Sequence, residues 1–246
     1  MLREAVLKKN FGADNDFLWR GNEVTRIEAF SDAVFAFAIT LIVVSLEVPK
    51  TFSQLADTMR GFVSFGISFT FLVWIWYQHY KFFRRYGLQD TTTIVLNAIL
   101  LFVVLFYIYP LKFLFTMLVG AVMGTLQSPV IDGIPRSVIE AGQATSLMVI
   151  YGLGFMCVFL LFALLHVRAY RKRETLELNL VEIFHTQSAI HSYIILMAVS
   201  MVSILITVIG GDRYAALSGM TYGLIGPALG IYNSIRGKKR RKLESA

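Results

Sequence analysis

The sequence predicts an all-α integral membrane protein with six transmembrane helices, and three observations carry that expectation. Hydrophobic residues make up 56% of the chain and charged residues 16%, with a mean hydropathy of +0.63. A water-soluble domain does not usually hide that much apolar surface, whereas a bilayer solvates it. The apolar residues also fall into long charge-free runs, and the basic residues gather on alternate connections between them.

The runs are taken in chain order. Residues 33–46 form fourteen uncharged positions, and the span they belong to starts near Ile27. Four further runs cover 61–78, 91–111, 141–165 and 188–211, and a last one covers 214–235. Each approaches or exceeds the roughly 20 residues that cross a hydrocarbon core. A soluble helical bundle would show polar stripes every three or four residues, and these runs lack them. The stretch from Gly120 to Glu140 carries Gly124, Pro129, Gly133 and Pro135 and reads as a turn-rich outer connection. The inner connection "RAYRKRETLELNLVE" is polar and extends helices past the membrane.

With the amino terminus placed in the cytoplasm, the inner segments hold 18 of the 23 basic residues. Lys50, Arg60, Lys112, Arg136 and Arg213 remain on the outer side. That bias follows the positive-inside rule, so both termini are expected to face the cytoplasm. The same bias explains the net charge of +7. The "GKKRRK" tail directly follows an apolar span, so topology and anionic lipid account for it and nucleic acid is not an expected partner. Residues 1–25 contain no apolar h-region, so no cleaved signal peptide is expected. Cys157 is the single cysteine, which excludes an intramolecular disulfide and any cysteine-based metal site. The expected organisation is a cytoplasmic N-terminal segment over 1–25, one six-helix membrane domain over 26–235 and a basic cytoplasmic tail over 236–246.

The first span, "RIEAFSDAVFAFAITLIVVSLEVP", has charges in an unusual place. On a helix, Ala33, Thr40, Leu41, Val44 and Val48 share the side of Phe37, while Asp32 lies about 140° away at 100° per residue. Ser31 also points away from that stripe. An ionisable group at this depth is normally paired. Glu28, at i−4, repels Asp32, so Arg26 and polar groups of spans two and three are its candidate partners. Asp32 is therefore assigned to helix assembly rather than to conduction. Thr40 has two readings at this stage: a hydroxyl bonded back to the carbonyl at i−4, or one offered to a hydrated cation.

Arg26, Phe30, Ser31 and Asp32 spell R-x-x-x-F-S-D, and here the chain resembles the potassium channel family typified by transmembrane protein 175 of endosomes and lysosomes. "WYQHYKFF" resembles the family's W-x-x-H-H pattern through Trp76 and His79, with Tyr80 in place of the second His. "LNAILLFVVLFYIYP" is similar to its Asn-to-Pro segment through Asn97 and Pro110. The specific likeness covers roughly residues 26–110.

The resemblance implies a bacterial-type single repeat of six helices, assembled as a homotetramer with the first helix lining the central pore. It implies apolar constrictions at Phe37, Leu41 and Val44 and a pore hydroxyl at Thr40. Family members usually carry Ile or Leu where this chain has the bulkier Phe37. It also implies a helix-packing network of Arg26, Phe30, Ser31, Asp32, Trp76, His79 and Asn97. The implied partners are the chain itself, membrane lipid and permeant monovalent cations, with K⁺ conducted passively, no cofactor, no metal and no catalytic residue. A multi-pass protein of the cell membrane is expected. No TVGYG-type filter occurs in the sequence.

Two other classes compete. A proton-coupled transporter or proton pathway would use Asp32 and His79 as titrating groups, but the paired broken helices common in such proteins are not evident. A membrane enzyme would have to use His79, His166, His185 or His191, and these lie at no known metal-ligand spacing. Neither a nucleophile elbow nor a phosphate loop occurs. Trp76 and His79 also have plainer readings, as an interfacial belt residue and a headgroup-level histidine.

Overall fold

Thr25 opens the first helix with a reciprocal cap. Its hydroxyl accepts from the Glu28 amide (3.2 Å), and the Glu28 carboxylate accepts from the Thr25 amide (2.9 Å). The computed structural model that contains this cap describes residues 17–21, 23–44, 49–124, 130–131, 134–135, 137–140 and 142–244. Helix α1 spans Arg26–Val44, and α2, Phe52–Arg60, is a short amphipathic helix after it. α3 spans Phe62–Tyr86 and ends at Gly87, whose φ of 59° is the left-handed value that glycine adopts without penalty. α4, Thr91–Met123, is 33 residues long, about 50 Å at 1.5 Å per residue.

The turn-rich connection after α4 contains a minimal antiparallel hairpin, β1 (Val130–Ile131) with β2 (Ile134–Pro135), pairing Val130 with Pro135 and Ile131 with Ile134. α5 (Gln143–Arg171) and α6 (Leu180–Gly210) form the most extensive helix pair, and α4 packs on α5. Pro110 removes one helical hydrogen bond inside α4, and this stretch is tied sideways to α5. The Leu114 amide donates to the Tyr151 hydroxyl (3.1 Å), and the Tyr107 hydroxyl donates to the Tyr151 carbonyl (3.2 Å). Asp212, in the 3₁₀ turn Asp212–Tyr214 after α6, accepts from the amides of Gly142 and Thr145 and so covers the N-terminus of α5.

Among the described residues, three helices are long and apolar enough to cross a membrane: α4, α5 and α6. α1 is shorter, at 19 residues, and carries Arg26, Glu28 and Asp32 in its first two turns. α3 is diluted by Ser64, Gly66, Ser68, Gln78 and His79. The run at 214–235 is divided into the 3₁₀ turn, α7 (Ala215–Met220), a second 3₁₀ turn (Thr221–Leu224) and α8 (Ile225–Glu244). Gly219 and Gly223 beside the breaks and Pro227 in the first turn of α8 explain the division, because glycine and proline both weaken an uninterrupted α-helix. α8 continues through the basic stretch rather than ending before it.

The core lies where α3, α4 and α5 meet, around Leu72, Ile75, Phe82, Leu100, Phe159 and Phe162. α1 packs against α3 and α4, at the edge of this core.

Candidate functional site

α1 buries one face and leaves the other uncovered. Glu28, Ser31, Phe35, Ala38 and Ile42 recur at helical spacing and are all buried. Ala33, Phe37 and Thr40 stand exposed on the opposite side, with Phe37 at 56%, and Leu41 is half-buried. Val44 closes the helix, and its side chain lies outside the described residues, as does Val48.

Polar groups carry the buried face. The Ser31 hydroxyl donates to the Ile27 carbonyl (2.7 Å) and accepts from the Asn97 amide Nδ2 (2.9 Å). Asn97 Oδ1 lies 2.8 Å from His79 Nε2. The direction of the relay follows from its end: a carbonyl can only accept, so Ser31 donates there and receives from Asn97. Asn97 then has its carbonyl oxygen left for an Nε2–H of His79. Ser31, His79 and Asn97 are all buried, and Phe35 and Phe83 pack their rings on His79 at 5.6 and 4.7 Å.

Asp32 makes a separate contact at the edge of this face. Its Oδ1 accepts from the Trp76 indole Nε1 at 2.7 Å. The expected grouping of Asp32, Trp76, His79 and Asn97 is thus two chains that start from adjacent residues: Ser31–Asn97–His79 and Asp32–Trp76. The partner of Asp32 is Trp76 and not Arg26. Two members of the expected packing network make no part of these contacts within the chain. Phe30 is 63% exposed and Arg26 is exposed as well, because both lie on the uncovered side of α1 rather than against α3 and α4.

Thr40 donates its hydroxyl proton to the Ala36 carbonyl (2.9 Å), the i−4 pattern. Near the far end of α1, Lys112 Nζ of α4 donates to the Ile42 carbonyl (3.2 Å). Among the described residues, no group of three or more potential metal ligands occurs.

Sequence reading missed the rim of the site at the N-terminal end of α1. Arg84 of α3 places Nε 3.9 Å from Glu28 Oε1, and Arg20 pairs with Glu182 of α6 at 2.8 Å. The Thr25-x-x-Glu28 cap was a findable signal, being a Ser/Thr-x-x-Glu pattern before an apolar run. The pairing of Arg20 with Glu182 left no local signature, because the two are 162 residues apart.

Ser31 and Asp32 of the R-x-x-x-F-S-D motif thus pin the first helix to α4 through Asn97 and to α3 through Trp76, and it is this motif region that the comparisons with known ion channels match. The sequence profile described as "Endosomal/lysosomal potassium channel TMEM175" matches residues 26–107. A potassium channel of Marivirga tractuosa is 44% identical over 244 residues, covering 97% of this chain and 98% of the relative. A potassium channel of Chamaesiphon minutus is 34% identical over 97 residues, 36% of this chain and 48% of its own length. The crystal structure of a variant of the potassium channel MtTMEM175, in complex with a nanobody–MBP fusion, superposes with a TM-score of 0.80 at 43% identity. That likeness covers 92% of this chain and 99% of the channel chain. The chain belongs to the TMEM175 potassium channel family, a family of channels and not of enzymes.

Proposed function

We propose that the chain is one subunit of a homotetrameric, potassium-permeable cation channel in which four copies of α1 surround the conduction path. On this reading six segments span the cell membrane, and both termini are cytoplasmic. The observation that carries it is the uncovered Phe37 face of α1, opposite the face that α3 and α4 bury. Four such faces turned to a common axis give apolar layers at Phe37, Leu41 and Val44. Closely spaced apolar layers exclude water and so act as a gate, and no TVGYG-type carbonyl filter is needed.

Thr40 fits a pore position on chemical grounds. Its proton is already given to Ala36, so the oxygen keeps its lone pairs for a cation. One hydroxyl layer replaces only part of an ion's hydration, so the preference for potassium over sodium is modest. The reading requires no cofactor. The proton-relay alternative gains no support from the geometry, since His79 is bonded to Asn97 and Asp32 to Trp76.

The test is the reversal potential of purified protein in planar bilayers, with potassium on one side and sodium on the other. Unitary currents reversing toward the potassium equilibrium potential are the expected result. Saturable flux that requires a proton gradient would overturn the channel mechanism.

A further inference from the structure

Residues 17–21, which precede α1, are not a loose lead-in. Arg20 is the hub of a dense set of contacts at the inner end of the helices. Its guanidinium donates to Glu182 Oε1 (3.0 Å) and Oε2 (2.8 Å), to the Leu176 carbonyl (2.6 Å) and to the Glu177 carbonyl (3.0 Å). Glu182 is equally engaged. Beyond Arg20, its carboxylate accepts from the amides of Leu18 (2.8 Å) and Asn179 (2.9 Å). Leu176 and Glu177 of the α5–α6 turn and Glu182 in the first turn of α6, three residues, are therefore tied to the segment before α1.

The segment holds α3 on its other side. The amides of Arg20 and Gly21 both donate to the Arg84 carbonyl (3.1 Å each), and Arg84 Nη1 donates back to the Gly21 carbonyl (2.8 Å). A Cβ on Gly21 would meet the Phe83 carbonyl oxygen at 2.7 Å, so the close approach needs glycine here. Arg84 then reaches Glu28, whose carboxylate caps Thr25 at the start of α1. Phe17 is buried, edge-on to Tyr86 at 5.4 Å, which seats the far end of the segment.

Two features separate this from ordinary loop anchoring. The contacts form an unbroken path, Glu182–Arg20–Gly21–Arg84–Glu28, from the first turn of α6 to the cap of α1. The Glu177 carbonyl that Arg20 engages also belongs to a non-glycine residue with φ of 48°. A left-handed conformation at such a residue persists only where its surroundings hold it. Only four residues lie between Gly21 and Arg26, so displacement at one end has little slack to absorb it.

We infer that Arg20 and Glu182 are positioning residues for α1: they couple the α5–α6 turn to the inner end of the pore helix and so set how often the pore opens. The inference rests on the reading of α1 as pore-lining. Single-channel recording of the full-length channel in planar bilayers tests it, with open probability, unitary conductance and reversal potential measured separately. Arg20→Ala and Glu182→Gln are expected to change open probability by about tenfold, the scale of one charge-assisted hydrogen bond spent on an opening equilibrium. Unitary conductance and reversal potential are expected to stay at wild-type values. Arg20→Lys should lie between Arg20→Ala and the wild type, because it keeps the charge but loses the planar fork. The double variant should change open probability no more than either single one, as two ends of one contact do.

Phe17→Ala serves where the charge variants fail to assemble, since it loosens the segment without stranding a buried carboxylate. It too should change open probability. Wild-type open probability in all variants that assemble would overturn the inference while leaving the pore reading intact. Unitary conductance unaffected by Phe37→Ala would instead overturn the pore reading, and the inference with it.

Discussion

On one side of α1 every polar group is spent. Ser31, Asn97 and His79 hand hydrogen bonds along a buried line, and Asp32 takes one from Trp76. On the other side, Phe30, Ala33, Phe37 and Thr40 stand uncovered, and Thr40 satisfies its donor within its own helix. The contrast shows what fixes the rotation of a helix in lipid. Apolar side chains gain little there by choosing protein over acyl chains, whereas a polar group buried without a partner costs free energy at once. The polar line therefore sets which way α1 faces, and the Phe37 stripe is what remains on the other side.

The sharpest way to break that contrast is Asn97→Leu. The substitution strands both the His79 Nε2–H and the second bond of Ser31 in one step. Groups of this kind cost about 1–3 kcal/mol each when buried and unpaired. In membrane proteins the measured values fall toward the low end. A loss of about 1–3 kcal/mol in a detergent unfolding titration is expected, the largest effect of any single change proposed for this face. Unchanged stability would mean that packing alone orients α1.

Asp32 distinguishes charge from acceptor. Asp32→Ala leaves the Trp76 indole N–H without its partner and should cost about 1 kcal/mol. Asp32→Asn retains an acceptor oxygen and should cost less. In both, the yield of assembled channel is expected to fall while the reversal potential between potassium and sodium stays in place. A shifted reversal potential with intact assembly would move Asp32 from the packing face to the ion path.

Much of this face was legible because it is local. Asp32 and Phe37 sit about 140° apart in any α-helix, so the split between an anchoring side and an open side follows from spacing alone. The R-x-x-x-F-S-D motif with Trp76, His79 and Asn97 named the partners by resemblance. Spacing and resemblance did not say that the partners divide into two chains, because which oxygen meets which nitrogen depends on the crossing of α1 with α3 and α4. Phe30 and Arg26 were grouped with the network because they belong to the motif, and the structure places them on the uncovered side. The expectation at 214–235 missed the segmentation because an uncharged run ignores its glycines. Pairs such as Arg20 with Glu182 bring distant parts of the chain together and leave no periodic trace.

A solvated network provides the contrast to the buried one. Asp90, just before α4, pairs with Arg168 (2.8 Å) and Lys172 (3.2 Å) and accepts from the Thr93 hydroxyl. Burial alone would raise its carboxyl, but the hydrogen bonds from Thr93, Arg168 and Lys172 outweigh that and hold it down to about 2. A carboxyl lowered from 3.8 contributes stability above that value and loses it as pH falls toward about 2. Water reaches this pair, so Asp90→Asn should cost only about 0.2–1 kcal/mol near neutral pH. The difference from wild type should shrink in unfolding titrations below pH 4. A cost equal to that of Asn97→Leu would erase the distinction between buried and solvated networks.

Phe37→Ala should have the smallest effect on the chain and the most informative effect on current. Its side chain is 56% exposed and α3 and α4 do not cover it, so subunit stability should change by no more than about 0.5 kcal/mol. If four copies of α1 meet at one axis as proposed, removing four phenyl rings from it would widen the Phe37 layer and admit water. Unitary conductance should rise, or current should appear where the wild type passes none, because an apolar constriction gates by excluding water and an alanine ring of the same helices no longer does so. The result separates two explanations of an uncovered apolar stripe that stability alone cannot. A stripe that only meets lipid would leave conductance unchanged after truncation, whereas a stripe turned to the ion path changes it while the anchoring face, and with it the fold, stays as it was.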